Sequence, residues 1–496
     1  MFSIDETTVA QLRLAMDNGS ITCVDLVLHY VSANVPVYPT MKSDRHSLGT
    51  KQLSQIEEVN SNLHAVIETN PDALALAKNA DAERLRLETV PLLHGIPILI
   101  KDNIATRDKM QTTAGSYILV DSVVPQDAFL VSKLREAGAI IIGKTNLSEW
   151  SNWRIGDTSP NGWSGRGGQT INPFGGEVGG SSSGSAVAAT MNLAAVTLGS
   201  ETDGSIIYPA SLNGVVGIKP TVGFVSRNGV IPISHTQDCV GPITRTVADA
   251  AAVLDAIVGS DPADLVTIDA DKLRPKTSFV AELSQVKTLE SFRIGFDSKK
   301  CDRYSEHAVT ILESMGAQII NIELPNLESN ESDEITILSH EFKQGINLYL
   351  SQLSNCRIKT LEDVISETIQ DARENIYPVA LFEKSQKTSG LNDEIYLNAM
   401  RNQSLVVQSI KNIFETETLD AIIGIANDLS STAAISGYPV ITVPAPSNTK
   451  WPQAVGFMAK AFGDARLLQI AYAYERRTNA RKKPEYVSKP METAEE

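Results

Sequence analysis

The chain of 496 residues is short of several things, and each shortage narrows what it can be. Its four cysteines, Cys23, Cys239, Cys301 and Cys356, lie far apart with no C-x-x-C pair. Neither a disulfide framework nor a zinc knuckle is expected on that spacing, and a reducing compartment fits best. Basic residues are outnumbered, 43 Lys and Arg against 59 Asp and Glu, for a formal net charge of −16 and a pI near 5.0. Phosphate recognition needs clustered Lys and Arg, so nucleic acid is not an expected partner. The acidic excess reads as solubility. No apolar run reaches the roughly 18 residues of a spanning helix. The first fifteen residues carry Asp5 and Glu6 and lack the basic start and apolar centre of a signal peptide. The expectation is a soluble, cytoplasmic protein that binds no membrane. Internal repeats and a Ser- or Pro-rich linker are also missing.

What is present is ordinary globular material, 42% hydrophobic and 21% charged. The part up to about residue 90 reads as helical. Thr22-x-x-Asp25 resembles a capping box, and Gly19 is placed to end the helix before it. From Leu92 to about Gly259, short β-branched runs (IPILI, AIIIG, AVTLG, GVVGI) alternate with helix-like stretches such as DAFLVSKLREAG. That alternation predicts an α/β architecture around a largely buried sheet. Residues 260–400 are more polar and helix-rich. LDAIIGIA and YPVITVPA read as two further strands, and RLLQIAYAYERR as a helix. One large domain is expected, with a helical flank over 1–90, a core over 90–260, a helical insert and sheet-completing part over 260–485, and a frayed tail over 486–496.

Two motifs match known patterns in the wrong setting. Gly138 to Thr145, GAIIIGKT, fits the phosphate-binding G-x-x-x-x-G-K-[ST]. That mechanism needs a strand and then a flexible loop. Here a helix pattern precedes Gly138 and the AIII stretch is itself strand-like, so Gly138 reads as a helix cap. Gly180-Ser-Ser182-Ser-Gly184 fits the nucleophile elbow G-x-S-x-G, which needs a strand leading into the serine. The lead-in is a Gly-rich loop. A Ser–His–Asp esterase built on Ser182 would also need a downstream histidine, and neither His235, His307 nor His340 stands in a context that singles it out.

A third arrangement spans three segments: HGIPILIKDNIAT around Lys101, GGSSSGSAVA around Ser181, and GSETDGSIIYPAS around Ser205. Glycines beside each serine allow the backbone to approach a ligand closely. In order and content these segments resemble the amidase signature family, and the likeness continues through GVVGIKPTVGFVSRNGVIPISHTQDCVGPITRTVADAAAVLDAIVG. The ETDGS form with KPTVG and SRNGVIPIS looks most like bacterial peptide amidases and related fungal amidases.

The resemblance implies a central twisted mixed β-sheet flanked by helices on both faces, and a Ser–cis-Ser–Lys triad. A serine hydroxyl is a weak nucleophile without a base, and a lysine can be that base only when burial keeps it neutral. By resemblance, Lys101 is the base, Ser181 relays the proton across a cis Gly180–Ser181 bond, and Ser205 attacks the carbonyl to form an acyl-enzyme. The backbone N–H groups of Thr202, Asp203, Gly204 and Ser205 would receive the oxyanion. Ser182 and Ser183 are supporting hydrogen-bond partners, and no metal or cofactor takes part.

One departure matters. Many members read D-T-G-G-S-I-R where this chain has E-T-D-G-S-I-I, so Asp203 replaces a glycine and Ile207 an arginine. This argues against an amidotransferase subunit, which usually carries the arginine form and works with partner proteins. The expected substrates are small or medium acyl amides, peptide amides, aryl amides or carbamates, with esters reachable by the same route. A homodimer or higher homo-oligomer is compatible with the sequence. Trp150, Trp153 and Trp163 are placed either to line an apolar pocket or to pack the core.

Overall fold

The structure is a computed structural model that describes residues 2–31, 59–154, 160–286, 288–327 and 330–485. The tail over 486–496 lies outside the described residues. Among them the strands are β1 (Val66–Thr69), β2 (Pro97–Lys101), β3 (Ile140–Thr145), β4 (Trp163–Ser164), β5 (Gly168–Gln169), β6 (Val196–Glu201), β7 (Val216–Lys219), β8 (Cys239–Thr244), β9 (Arg293–Phe296), β10 (Gln318–Asn321), β11 (Ala421–Gly424), β12 (Val440–Ala445) and β13 (Gln453–Met458). Eleven form one mixed sheet in the order β1-β3-β2-β6-β8-β7-β12-β13-β11-β9-β10; β4 and β5 pair separately. β2 lies parallel to both β3 and β6, and β9 is parallel to β10 and β11, while the middle of the sheet is antiparallel.

Helices cover both faces, and the strand residues display this. Ile423, Ile441 and Phe457 join one apolar cluster, whereas Ile422, Val440 and Met458 join another. Neighbouring side chains on a strand point to opposite faces, so the two clusters are the two sides of the sheet. Helices Val247–Ile257 and Asp464–Thr478 supply residues to the first, and Ile207–Leu212 and Ala426–Ser436 to the second. A sheet covered twice has no need of alternating polarity. That is why β2, β3, β6 and β8 read as continuous buried runs.

The first misleading motif resolves here. Gly138 has φ +77° just beyond helix Phe129–Glu136. Gly143 and Lys144 are inside β3, where Lys144 Nζ donates to the Ile104 carbonyl (2.6 Å) and to Thr112 Oγ1 (2.9 Å). No loop remains to wrap a phosphate. The capping box forms, with Thr22 N–H donating to Asp25 Oδ2 (2.8 Å) and Asp25 N–H to Thr22 Oγ1 (3.0 Å). The flank read as wholly helical also contributes β1. Its residues, VIET, are half-buried on the sheet edge, a run too short to carry a period.

Trp150 and Trp153 are core residues, edge-on to Phe382 and tilted against Phe342 respectively. Their segment is fixed by Arg154, which is buried and ion-paired to Glu149 and Glu374. Its second nitrogen donates to the carbonyls of Glu374 and Tyr377. Glu374 in turn accepts from Ser116 Oγ (2.9 Å), and Glu149 from Gly165 N–H (2.9 Å). Removing the cation leaves two buried carboxylates facing each other. Arg154→Met is therefore expected to destabilise the fold by about 3–5 kcal/mol, against almost nothing for Lys272→Met in an exposed pair. Denaturant unfolding followed by tryptophan fluorescence checks this, and equal stability of the two variants would overturn it.

Candidate active site

Lys101 is the last residue of β2, and Ser200 and Glu201 are the last residues of β6. Because the two strands are neighbours and parallel, their carboxyl ends open on the same edge of the sheet. Ser181 lies on the loop that leads into helix Ser183–Thr190, and Ser205 on the loop between β6 and helix Ile207–Leu212. Residues far apart in sequence thus meet where ligands bind in open α/β sheets.

The Lys101 side chain is wholly buried. Its Nζ lies 2.7 Å from Ser181 Oγ, 3.0 Å from Ser200 Oγ and 3.1 Å from the Ser200 carbonyl oxygen. Burial pushes its pKa down to about 7, against the opposing pull of Asp238 and Glu201. A neutral amine has two N–H donors and one lone pair. The Ser200 carbonyl can only accept, so one N–H is committed to it. Asn103 Nδ2 donates to Ser200 Oγ (2.9 Å) and holds that hydroxyl in place. With the second N–H on Ser200 Oγ, the lone pair is left for the proton of Ser181. Such a lysine can act as a base.

The serine loops are tied to one another through the backbone. The Gly180–Ser181 peptide is cis. A Cβ at Gly180 would meet Ser148 Oγ and Asn161 Oδ1, so a larger residue there would have to displace both side chains. The Ser181 carbonyl accepts from Ser148 N–H, and Ser182 N–H donates to the Ser205 carbonyl, both at 3.0 Å. Ser182 Oγ donates to the Ser200 carbonyl (3.0 Å) and accepts from Ser200 N–H (3.2 Å). Ser183 Oγ donates to the Gly179 carbonyl (2.5 Å). Both hydroxyls are spent on structure, and among the described residues no histidine reaches Ser182. His340 bonds instead to the Thr336 carbonyl and Asp393, and His235 pairs with Glu341.

The Ser205 hydroxyl has no partner among the described residues, and its hydrogen bond to Ser181 is not formed here. In this loop Gly204 has φ +73°, the left-handed region that favours glycine. The N–H groups of Ile206 and Ile207 both donate to Glu201 Oε2 (2.6 and 2.8 Å), whereas those of Asp203, Gly204 and Ser205 have no acceptor among the described residues. Three unspent donors beside a free hydroxyl can receive a negatively charged oxygen. Thr202 is held by its hydroxyl, which donates to Asp238 Oδ1 (2.6 Å), while Asp238 Oδ2 accepts from the N–H groups of Ile233 and Ser234. Burial raises Glu201 to about 7.

Ser200, Asn103, Glu201 and Asp238 are the residues that sequence reasoning passed over. All four stand inside the quoted segments, but nothing in a one-dimensional pattern says that a strand-end serine will bond a lysine on the next strand.

The chain is similar to known proteins along nearly its whole length. A sequence model of the amidase family, described as Amidase, matches residues 50–429. A probable amidase of Arabidopsis thaliana is 40% identical, covering 98% of this chain and 93% of its own. The crystal structure of peptide amidase from Stenotrophomonas maltophilia superposes with a TM-score of 0.86 at 38% identity, covering 98% of this chain and 100% of that one. A glutamyl-tRNA(Gln) amidotransferase subunit of Thermoanaerobacter pseudethanolicus is 32% identical over 88% of this chain and 93% of its own. The chain belongs to the amidase family and has its signature fold.

Proposed function

We propose that the protein is a free-standing amidase that hydrolyses small or medium acyl amides, peptide amides among them, through an acyl-enzyme on Ser205. The observation that carries this reading is the 2.7 Å contact between a buried, readily neutral Lys101 and Ser181 Oγ, next to three unspent N–H groups at Ser205. On substrate binding the Ser205 proton passes to Ser181 as the Ser181 proton passes to Lys101, and Ser205 Oγ bonds to the carbonyl carbon. The oxygen of that carbonyl becomes an anion held by the N–H groups of Asp203, Gly204 and Ser205. Collapse breaks the C–N bond, and the proton returns from Lys101 through Ser181 to the leaving nitrogen. Water then repeats the sequence on the acyl ester, releasing the acid and restoring Ser205. Aryl amides, carbamates and esters fit the same steps, since each offers a carbonyl with a leaving group.

Hydrogen bonds to a catalytic base commonly tighten only when substrate is bound, so the unmade Ser181–Ser205 bond is compatible with this relay. The likeness to a peptide amidase over its full length supports the free-standing reading. Ile207 supports it too, being wholly buried where amidotransferase forms carry arginine.

Ser205→Ala is expected to abolish turnover and Lys101→Ala nearly so, with the fold retained by circular dichroism. Assay on a panel of peptide amides, anilides, carbamates and esters, with mass spectrometry of the trapped acyl-enzyme, tests this. Full activity in a folded Ser205→Ala protein removes the assignment. Activity is expected to rise through about pH 7 as Lys101 loses its proton. An optimum near pH 5 would contradict it.

The same titration reaches stability. Lys101 falls to about 7 in the folded chain from an ordinary 10.5, so between those values the unfolded state holds the extra proton. Stability therefore rises with pH across that window. Lys101→Met is expected to remove about one proton's worth of that slope. Unfolding free energies from pH 7 to 10 measure it, and an unchanged slope would place Lys101 in a hydrated, charged state.

A further inference from the structure

The Ser200 hydroxyl is engaged twice as an acceptor and not once as a donor. Its Oγ accepts from Asn103 Nδ2 (2.9 Å) and from Lys101 Nζ (3.0 Å), and its own proton has no acceptor among the described residues. The direction of that proton bears on the chemistry. Turned toward Lys101, it would occupy the lone pair of the neutral amine. The amine would then have only N–H donors left for Ser181, the wrong direction for a base. The orientation of one hydroxyl therefore decides whether Lys101 can take a proton from Ser181.

A small cavity lies against this serine. Asn103, Ser151, Ser200, Thr202 and Asp238 form its polar wall, and it offers about 10 Å³ to the centre of a water molecule. That is room for one water among several polar partners. Ser200 is 8% exposed, against 0% for Leu198 and 1% for Glu201 on the same strand, so the opening is at Ser200 itself. Asn103 Oδ1 is buried and has no partner among the described residues. Asp238 Oδ1 carries one bond, from Thr202 Oγ1 (2.6 Å), and a carboxylate oxygen can accept a second. The cavity shares Arg227, Val230, Ile233 and Asp238 with an open cleft of about 430 Å³, which gives water a way in.

We propose that this cavity is a binding site for one ordered water, which accepts the Ser200 hydroxyl proton and so keeps the Lys101 lone pair turned to Ser181. The water's own hydrogens go to the Asp238 carboxylate and the Asn103 amide oxygen. Three partners is the usual complement of a buried water. The water positions the base and takes no part in bond making. It also joins Lys101 to Asp238 through Ser200. Desolvation lowers the Lys101 pKa, and Asp238 is the first charge that raises it, with Glu201 the second. Arg227, in the same wall, acts on Asp238.

The use of this water in catalysis rests on the amidase reading, but its presence does not. A crystal structure of the wild type that resolves buried waters is expected to show one within about 3.2 Å of Ser200 Oγ, and a dry cavity overturns the site. Val240 lies opposite Ser200 on β8 and lines the cavity, so Val240→Ile adds one methyl to that space and removes no polar group. It is expected to expel the water and to lower kcat at least about tenfold, with KM within about twofold. The Ser200 proton then falls on the Lys101 lone pair and favours the neutral amine, so the acid limb of kcat moves down by at least about 0.5 pH unit. Damage to packing alone would not move the limb in that direction. Val216→Ile adds the same methyl to buried β7 and should leave the limb in place and kcat within about twofold. A rate and limb that change with the water kept, or that stay with the water gone, overturn its positioning role. A water found in the wild type, with no amide hydrolysed, upholds the site and overturns the amidase reading.

Discussion

The arrangement depends on one constraint: an amine kept out of water at the end of a strand. Lys101 can follow IPILI only because β2 is covered on both faces and flanked by β3 and β6. That packing removes the solvent that would keep the ammonium charged, and desolvation is the largest influence on its pKa. The same sheet supplies what the neutral amine then needs. β6 runs parallel beside β2, so its last residues deliver the Ser200 carbonyl and hydroxyl to the buried nitrogen.

Burial alone does not make a base, and Lys144 is the internal control. It too is fully buried, with a pKa pushed down to about 8 by desolvation. Its nitrogen is bonded to the Ile104 carbonyl and the Thr112 hydroxyl, on a strand with no glycine-rich serine loop at that point. What distinguishes Lys101 is Ser181, brought within 2.7 Å by a loop that is locked from several sides. Ser148 holds its carbonyl, Ser182 ties it to the Ser205 loop, and the Ser182 hydroxyl bonds both the N–H and the carbonyl of Ser200. Lys101, Ser181 and the Ser205 loop are three pieces of one hydrogen-bonded web. A displacement of any one moves the others.

How much of this could be read in the sequence follows from the kind of signal each part leaves. β2, β6, β7, β11 and β12 are continuous apolar or β-branched runs, and they were legible because a twice-covered sheet demands such runs. β9 and β10, with RIGF and QIIN, are short, partly polar and set near the sheet edge, so no period survives in them. β13, with QAVGFM, carries a glycine and begins on polar residues. Lys101, Ser181 and Ser205 were legible as motifs. Glu201 and Asp238 were not, because their work is to accept backbone N–H groups whose position only the folded chain fixes. The tryptophans were ambiguous for a related reason. An aromatic cluster in sequence looks the same beside a pocket as in a core, and only Phe342 and Phe382, from distant helices, decide for the core at Trp150 and Trp153.

The two departures in the ETDGSII segment belong together. Ile207 sits in the apolar cluster with Ala186, Ala210 and Ala433, and its N–H is taken by Glu201. A guanidinium in that place would need a buried acceptor, and the carboxylate beside it is Glu201, whose Oε1 has no partner among the described residues. The helix Ile207–Leu212 that follows the Ser205 loop contributes packing and no charged side chain. Four residues upstream, Asp203 Oδ1 accepts from Ser431 Oγ of helix Ala426–Ser436. One short loop thus leaves the N–H groups of Asp203, Gly204 and Ser205 unbonded among the described residues, while its side chains tie it to Asp238 and to helix Ala426–Ser436.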